Sequence, residues 1–260
     1  MERWTGRVAV VTGASSGIGY AVANELARHG MKVAALARRY DRLQLLQQEC
    51  TQHCKGILKI YQCDITDEKE IALTIKAILT DLGPISVLVN NAAIIAPMPL
   101  TDTSQGSCRK LYETNVIGLV TITQHVVETM KKHNITDGHI ININSITGHM
   151  ISPVPGMANY CASKNAITIL TASIKNELSA LKFKTRVTSI SPGYVKTEMS
   201  EGFLKNHPNK KFPYLNTNDI SECIIFVLSL KSNINISEMT VQPVGETIMS
   251  YISDCNMFNT

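Results

Sequence analysis

Thr12-Gly13-Ala14-Ser15-Ser16-Gly17-Ile18-Gly19 stands directly after the apolar run Val8-Ala9-Val10-Val11 and directly before a stretch of helical period reaching His29. A short continuous run rich in valine reads as a strand buried on both faces, the kind found in parallel sheets. Gly13 permits the tight turn that leaves it. Gly17 and Gly19 carry no side chain, so a phosphate group could approach the first turn of the following helix, whose amides have no intrahelical partner. Ser15 and Ser16 add hydroxyl donors. The spacing is G-x-x-x-G-x-G rather than the common G-x-G-x-x-G, and a plain strand–helix turn is the alternative for the loop taken alone.

The rest of the chain continues the alternation. Strands are predicted at 7–12, 32–37, 57–62, 85–90, 139–144 and 186–191, with a short last one near 239–244. Helices are predicted at about 18–29, 41–52, 67–82, 105–132, 156–181 and 219–230. Gly83-Pro84 stops the third helix, since proline lacks the amide hydrogen needed to continue. The last helix has Thr217 or Asn218 as its expected cap. Residues 192–216 read as irregular, with a substrate lid near 194–216. No linker or repeat divides the chain, so residues 1–260 read as a single α/β domain: a doubly wound (Rossmann) fold with a central parallel sheet of about seven strands and helices on both faces. Ligands of such sheets bind at the C-terminal strand edge, where every motif below falls.

Composition excludes several classes. With 260 residues, 44% apolar and 18% charged, the chain suits a folded domain rather than a disordered one. The net charge of +4 is dispersed, and the densest basic stretch, at 206–211, holds two lysines; nucleic acid is not an expected partner. No apolar run is long enough to span a bilayer, and the first residues lack a signal-peptide core, so a cytoplasmic protein is expected. Seven scattered cysteines agree with a reducing compartment. Cys50, His53 and Cys54 lie close in sequence, but no second cluster completes a zinc set, and no metal is expected.

Two features bear on a coenzyme. The second strand ends in Ala37-Arg38-Arg39, where an acidic residue would bind the ribose 2′-hydroxyl of NAD. Two arginines instead suit the 2′-phosphate of NADP(H), with Arg38 the principal contact and Arg39 the supporting one; a solvated surface pair is the alternative. Asp64, just past the third strand, could accept from an adenine amino group or cap the next helix, although Thr66 or Asp67 already suits the cap.

Tyr160-Cys-Ala-Ser-Lys164 places a phenol and an ammonium at i and i+4 on one helix face, where the cation would favour the phenolate. An ordinary amphipathic contact would look the same. Ser145 follows the fifth strand and could hold a substrate oxygen beside the phenol. Asn115 sits inside a helical run where asparagine is disfavoured, either as a core polar contact or to reshape the backbone and hold a water near Lys164.

In this order on an alternating chain, these features resemble the short-chain dehydrogenase/reductase family. The resemblance extends to Asn90-Asn91-Ala92-Ala93 and to Ser191-Pro192-Gly193 followed by Thr197. It implies that Asn115, Ser145, Tyr160 and Lys164 are the catalytic set. It further implies that Gly13, Ser15, Ser16, Gly17, Ile18, Gly19, Asp64, Ile65, Asn91, Val195 and Thr197 join Arg38, Arg39, Tyr160 and Lys164 in binding NADP(H). A homodimer or homotetramer follows from the same resemblance. Ala93 replaces the family's glycine, and the interval from Ser145 to Tyr160 is slightly long, so 148–155 should bulge toward the substrate.

Loops and flanks are similar to the insect farnesol dehydrogenase group and its vertebrate relative, family member 11. This implies a small apolar alcohol or carbonyl substrate, with ketosteroid or general carbonyl reduction as the alternative reaction and an idle NADPH-binding regulator as the alternative of another class. Ile146, Met150, Ile151, Val154 and Met157, with Tyr194, Met199, Phe203 and Leu204, are the expected apolar lining.

Overall fold

Seven parallel strands form the centre of the computed structural model, which describes residues 1–205 and 213–246, the side chains of 202–205 excepted. They are β1 (Val8–Thr12), β2 (Lys32–Ala37), β3 (Ile57–Gln62), β4 (Ile85–Asn90), β5 (His139–Ile143), β6 (Arg186–Pro192) and β7 (Glu238–Val241). Their order, β3-β2-β1-β4-β5-β6-β7, reverses direction between β1 and β4. The chain builds outward from β1 to β3, then returns to the other side of β1. Crossovers on the two sides of that point cover opposite faces of the sheet and leave a crevice above it.

Alternate residues of β1 serve the two faces. Ala9 and Val11 pack with Val22 and Leu26 of α1 (Gly17–Arg28), Leu43 and Leu46 of α2 (Tyr40–His53), and Ile220, Ile224 and Leu228 of α8 (Thr217–Ser229). Val8 and Val10 pack with Ile71, Ile75 and Ile78 of α3 (Glu68–Asp81), Ile122 and Val126 of α5 (Gly118–Lys132), and Leu178 of α6 (Ala158–Ala180). Each such aliphatic side chain contributes about 1.5–3 kcal/mol when buried. The core therefore fixes the sheet, and with it every loop at the C-terminal edge.

Several boundaries differ from the sequence expectation, each for a local reason. The run at 105–132 is α4 (Gln105–Tyr112), one π-helical turn (Glu113–Ile117) and α5. The last long helix begins at Thr217, not 219: Asn216 is its cap, and Asp219 reaches back to accept from the Asn216 amide at 2.7 Å. Neither Thr217 nor Asn218 caps it. The helix expected from 156 starts at Ala158. Residues 192–216, expected to be irregular, contain α7 (Glu198–Lys205). Glu2–Trp4 form a 3-10 turn ahead of β1, with Trp4 fully buried and its indole N–H donating to the Leu228 carbonyl at 2.8 Å. The stretch at 206–211 lies outside the described residues, as does the middle of the expected lid. Among the described residues, no helix is long and apolar enough to cross a membrane.

Candidate active site

The loop after β1 is held open by glycine geometry. Gly13 and Gly17 have φ of +67° and +58°, a region costly for any residue with a Cβ. Gly19 also answers a need its spacing does not show. A Cβ there would collide with the Asn91 side chain and stand 2.6 Å from the Gly13 carbonyl, so packing inside the loop by itself requires glycine here. Asn91 completes that packing, donating through Nδ2 to the Thr12 carbonyl at 2.9 Å. Ser16 is the residue preceding α1, and its side chain makes no capping bond. The first-turn amides thus lack a side-chain acceptor and face the crevice, an arrangement that fits an anionic phosphate.

Above the loop lies a cavity of about 490 Å³. Gly13, Ser15, Ser16, Gly17 and Ile18 form its floor; Arg38, Arg39, Asp64 and Ile65 its far end; Asn91, Ala93 and Thr197 its sides; and Tyr160 and Lys164 its near end. Of the proposed coenzyme set, Gly19 and Val195 alone are not in this lining. Ala93, at the position of the family's glycine, is part of this lining. Arg38 is 54% exposed on its side chain, with Asp64 at 3.7 Å. Arg39 is more engaged: it donates to Ser15 Oγ at 3.1 Å, to Ser16 Oγ at 2.7 Å and to both oxygens of Glu198. Asp64 is not the helix cap, a part taken by Asp67. Burial alone would raise the Asp64 carboxyl, but hydrogen bonds from the Thr66 amide and hydroxyl, with the Arg38 charge, hold it below its usual range.

Tyr160 and Lys164 lie on successive turns of α6. Lys164 is 2% exposed, and its ammonium donates to the Ile143 carbonyl at 2.8 Å, at the end of β5. The amine sits 5.8 Å from the centre of the Tyr160 ring. Burial pulls the Lys164 pKa down to about 7. Burial likewise pushes the Tyr160 phenol up to about 12, against the lowering effect of its hydrogen bond with Ser145. The chain alone therefore does not favour the phenolate, contrary to what the i, i+4 spacing suggests: desolvation outweighs the Ser145 hydrogen bond.

Asn115 falls within the π-helical turn, where the Gly118 amide reaches back to the Glu113 carbonyl. Such turns insert an extra residue into a helix and re-aim the side chains around it. Here Asn115 accepts from the Ile94 amide at 2.8 Å and donates to the Ile94 carbonyl at 3.0 Å and to Ser163 Oγ at 3.1 Å. It thereby ties the segment after β4 to α6, one residue from Lys164. Ser163 and Ile94 were not singled out by their sequence; an exposed-or-buried hydroxyl inside a helical run carries no signal of its partner.

A second cavity, of about 200 Å³, adjoins the first. Ser145 lies in its wall, and Ile146, Met150, Val154, Met157, Tyr194 and Met199 supply apolar lining as expected. Ile151 does not: it is 90% exposed. Phe203 and Leu204 lie among the side chains outside the description. Ile18, Ile95, Pro192 and Val195 join the lining unannounced by the sequence, since each belongs to a coenzyme-side or strand-end motif rather than to an apolar loop. Tyr160 and Asn144 stand on the wall shared by the two cavities.

The chain matches the short chain dehydrogenase family over residues 7–208. It is 41% identical to a farnesol dehydrogenase of Aedes aegypti, over 95% of this chain and 99% of that protein. It is 39% identical to dehydrogenase/reductase SDR family member 11 of Gallus gallus, with the same coverage. Among solved structures, a closed form of serine dehydrogenase complexed with NADP+ superposes with a TM-score of 0.82 at 29% identity, covering 92% of this chain and 96% of that one.

Proposed function

This chain belongs to the short-chain dehydrogenase family, and from that premise we propose that it is an NADP(H)-dependent oxidoreductase interconverting an apolar alcohol and its aldehyde or ketone. The observation that carries the reading is the shared wall. Tyr160 lines the cavity floored by the phosphate loop and, at the same time, the more apolar cavity containing Ser145.

The open cradle of Gly13 and Gly17 and the uncapped start of α1 fit the pyrophosphate. Arg38, with Ser15 and Arg39 in support, fits the 2′-phosphate. Asp64, Ile65 and Asn91 flank the adenosine, and Ile18, Val195 and Thr197 reach the nicotinamide end. When bound, the nicotinamide supplies or accepts the hydride and, in its oxidised form, adds positive charge beside the phenol. Ser145 holds the substrate oxygen; Tyr160 gives or takes its proton. Lys164 binds the ribose hydroxyls, and Asn115 holds the water that passes the proton on. Tyr194 and Met199 line the apolar cavity from the segment after β6, and its methionines suit an extended isoprenoid chain. The 41% identity to a farnesol dehydrogenase supports that substrate class. Exposed Ile117 and Ile169, on the α4–α5 and α6 helices, suit burial in a homodimer or homotetramer.

The coenzyme assignment is tested by Arg38→Asp. The carboxylate would repel a 2′-phosphate and accept from a 2′-hydroxyl, so the NADPH-to-NADH ratio of kcat/KM should fall by roughly 10²-fold or more, in line with loss of a charge-assisted contact plus new repulsion. An unchanged ratio would place the phosphate elsewhere. Farnesol, geraniol, retinal and a ketosteroid, each run with both coenzymes, define the substrate class.

A further inference from the structure

Glu198, the first residue of α7, crosses the mouth of the larger cavity to the start of α2. Its carboxylate receives Arg39 Nη1 at 3.0 and 3.1 Å and Arg42 Nη1 at 2.5 Å. The same Arg39 guanidinium spends Nε and Nη2 on Ser15 and Ser16 of the phosphate loop. One planar cation thus joins the loop, α2 and α7, and Glu198 is the one anion bonded to it among the described residues. Both carboxylate oxygens lie on the one guanidinium nitrogen that the loop serines leave free, a place where a phosphate oxygen could equally accept a charge-assisted bond. Hydrogen bonds from Arg42 and Arg39 hold the Glu198 carboxyl below its usual range, so it is ionised whenever an NADP-type ligand would arrive.

We propose that Glu198 determines coenzyme selectivity by competition: its carboxylate holds Arg39, and the 2′-phosphate of NADP(H) takes its place there. This rests on the coenzyme reading above. Its consequence is that part of the attraction for the 2′-phosphate is offset by the bond already made, so the protein discriminates between phosphorylated and unphosphorylated coenzyme less sharply than its two arginines would allow. Arg38, half exposed and only loosely paired to Asp64, meets the phosphate first; Arg39 follows by exchange.

The test compares adenosine 2′,5′-bisphosphate with adenosine 5′-monophosphate, which differ only in the 2′-phosphate, by calorimetric titration of wild type and Glu198→Gln. Glu198 is half exposed, so the variant keeps the fold. The exchange of an exposed carboxylate network should tighten the bisphosphate by roughly three- to ten-fold and leave the monophosphate within about two-fold. A bisphosphate affinity that is unchanged or weaker, or a gain shared equally by both ligands, overturns the competition. Wild type binding the two ligands equally would overturn the coenzyme reading itself, a result distinct from a discriminating wild type that the substitution fails to alter.

Discussion

Tyr160→Phe is expected to lower kcat by roughly 10³-fold while the dissociation constant for NADPH stays within about three-fold, the range general acid–base groups contribute being about 10²–10⁴. The aromatic ring fills the wall between the two cavities, and phenylalanine preserves that ring and its packing. Only the hydroxyl is lost. With it goes the proposed proton donor and acceptor for a substrate oxygen beside Ser145. The phenol's pKa of about 12 adds a direction. At neutral pH the protein by itself presents a protonated acid, the form carbonyl reduction uses. Alcohol oxidation needs the phenolate and should accelerate as pH rises. Steady-state kinetics in both directions, with fluorescence titration of NADPH, reads all three expectations. Full activity in the phenylalanine variant would remove Tyr160 from the chemistry.

The second large effect is a trade between stability and activity at Lys164. Its folded pKa of about 7 lies well below the unfolded value of about 10.4. The sign follows from proton binding. Between about pH 7 and pH 10.4 the unfolded chain holds a proton that the folded one has shed, so stability rises with pH across that window at up to about 1.4 kcal/mol per unit. Below about pH 7 both states are protonated and the folded state bears the full cost of a buried charge. Lys164→Met removes that cost but leaves the Ile143 carbonyl without its donor, a loss of about 1–3 kcal/mol. The coenzyme-free variant should therefore be more stable than wild type at about pH 7 by roughly 2 kcal/mol, the advantage vanishing or reversing by about pH 9.5. Turnover should fall by at least about 10²-fold, because the ammonium proposed to orient the ribose is gone. Urea midpoints at the two pH values, with kcat at neutral pH, check both halves; a methionine variant less stable at each pH would show that the amine is not a strained buried group.

The sheet was legible because its signals are local. Continuous valine- and isoleucine-rich runs bounded by glycine left little freedom in where β1, β4 and β5 lie. That Tyr160 and Lys164 share a helix face and that Ser145 stands just past β5 could be read from spacing, and the structure brings all three to adjoining cavities. What escaped depends on contacts that linear order does not show. The π-helical turn around Asn115 looks like ordinary helix in sequence; only the disfavoured asparagine marks it. Asn216 caps α8 because Asp219 reaches back to it, and with Thr217 and Asn218 alongside, three neighbouring residues offer plausible caps. Gly19 is also required by Asn91, 72 positions away in the chain, a packing need that no window reveals. The phenol and amine pKa values turned on burial depth, which spacing cannot supply. Arg39, read as a helper to Arg38, is the more heavily bonded of the two because α7 folds back and brings Glu198 to it.

The most direct test of an NADP(H)-linked alcohol/carbonyl oxidoreductase is stoichiometric. Purified protein incubated with NADP+ and farnesol should yield NADPH and the aldehyde in equal amounts, the first by absorbance and the second by chromatography, with both products lost in Tyr160→Phe. Tight NADPH binding without turnover of farnesol, or of any other alcohol or carbonyl in either direction with either coenzyme, would contradict it.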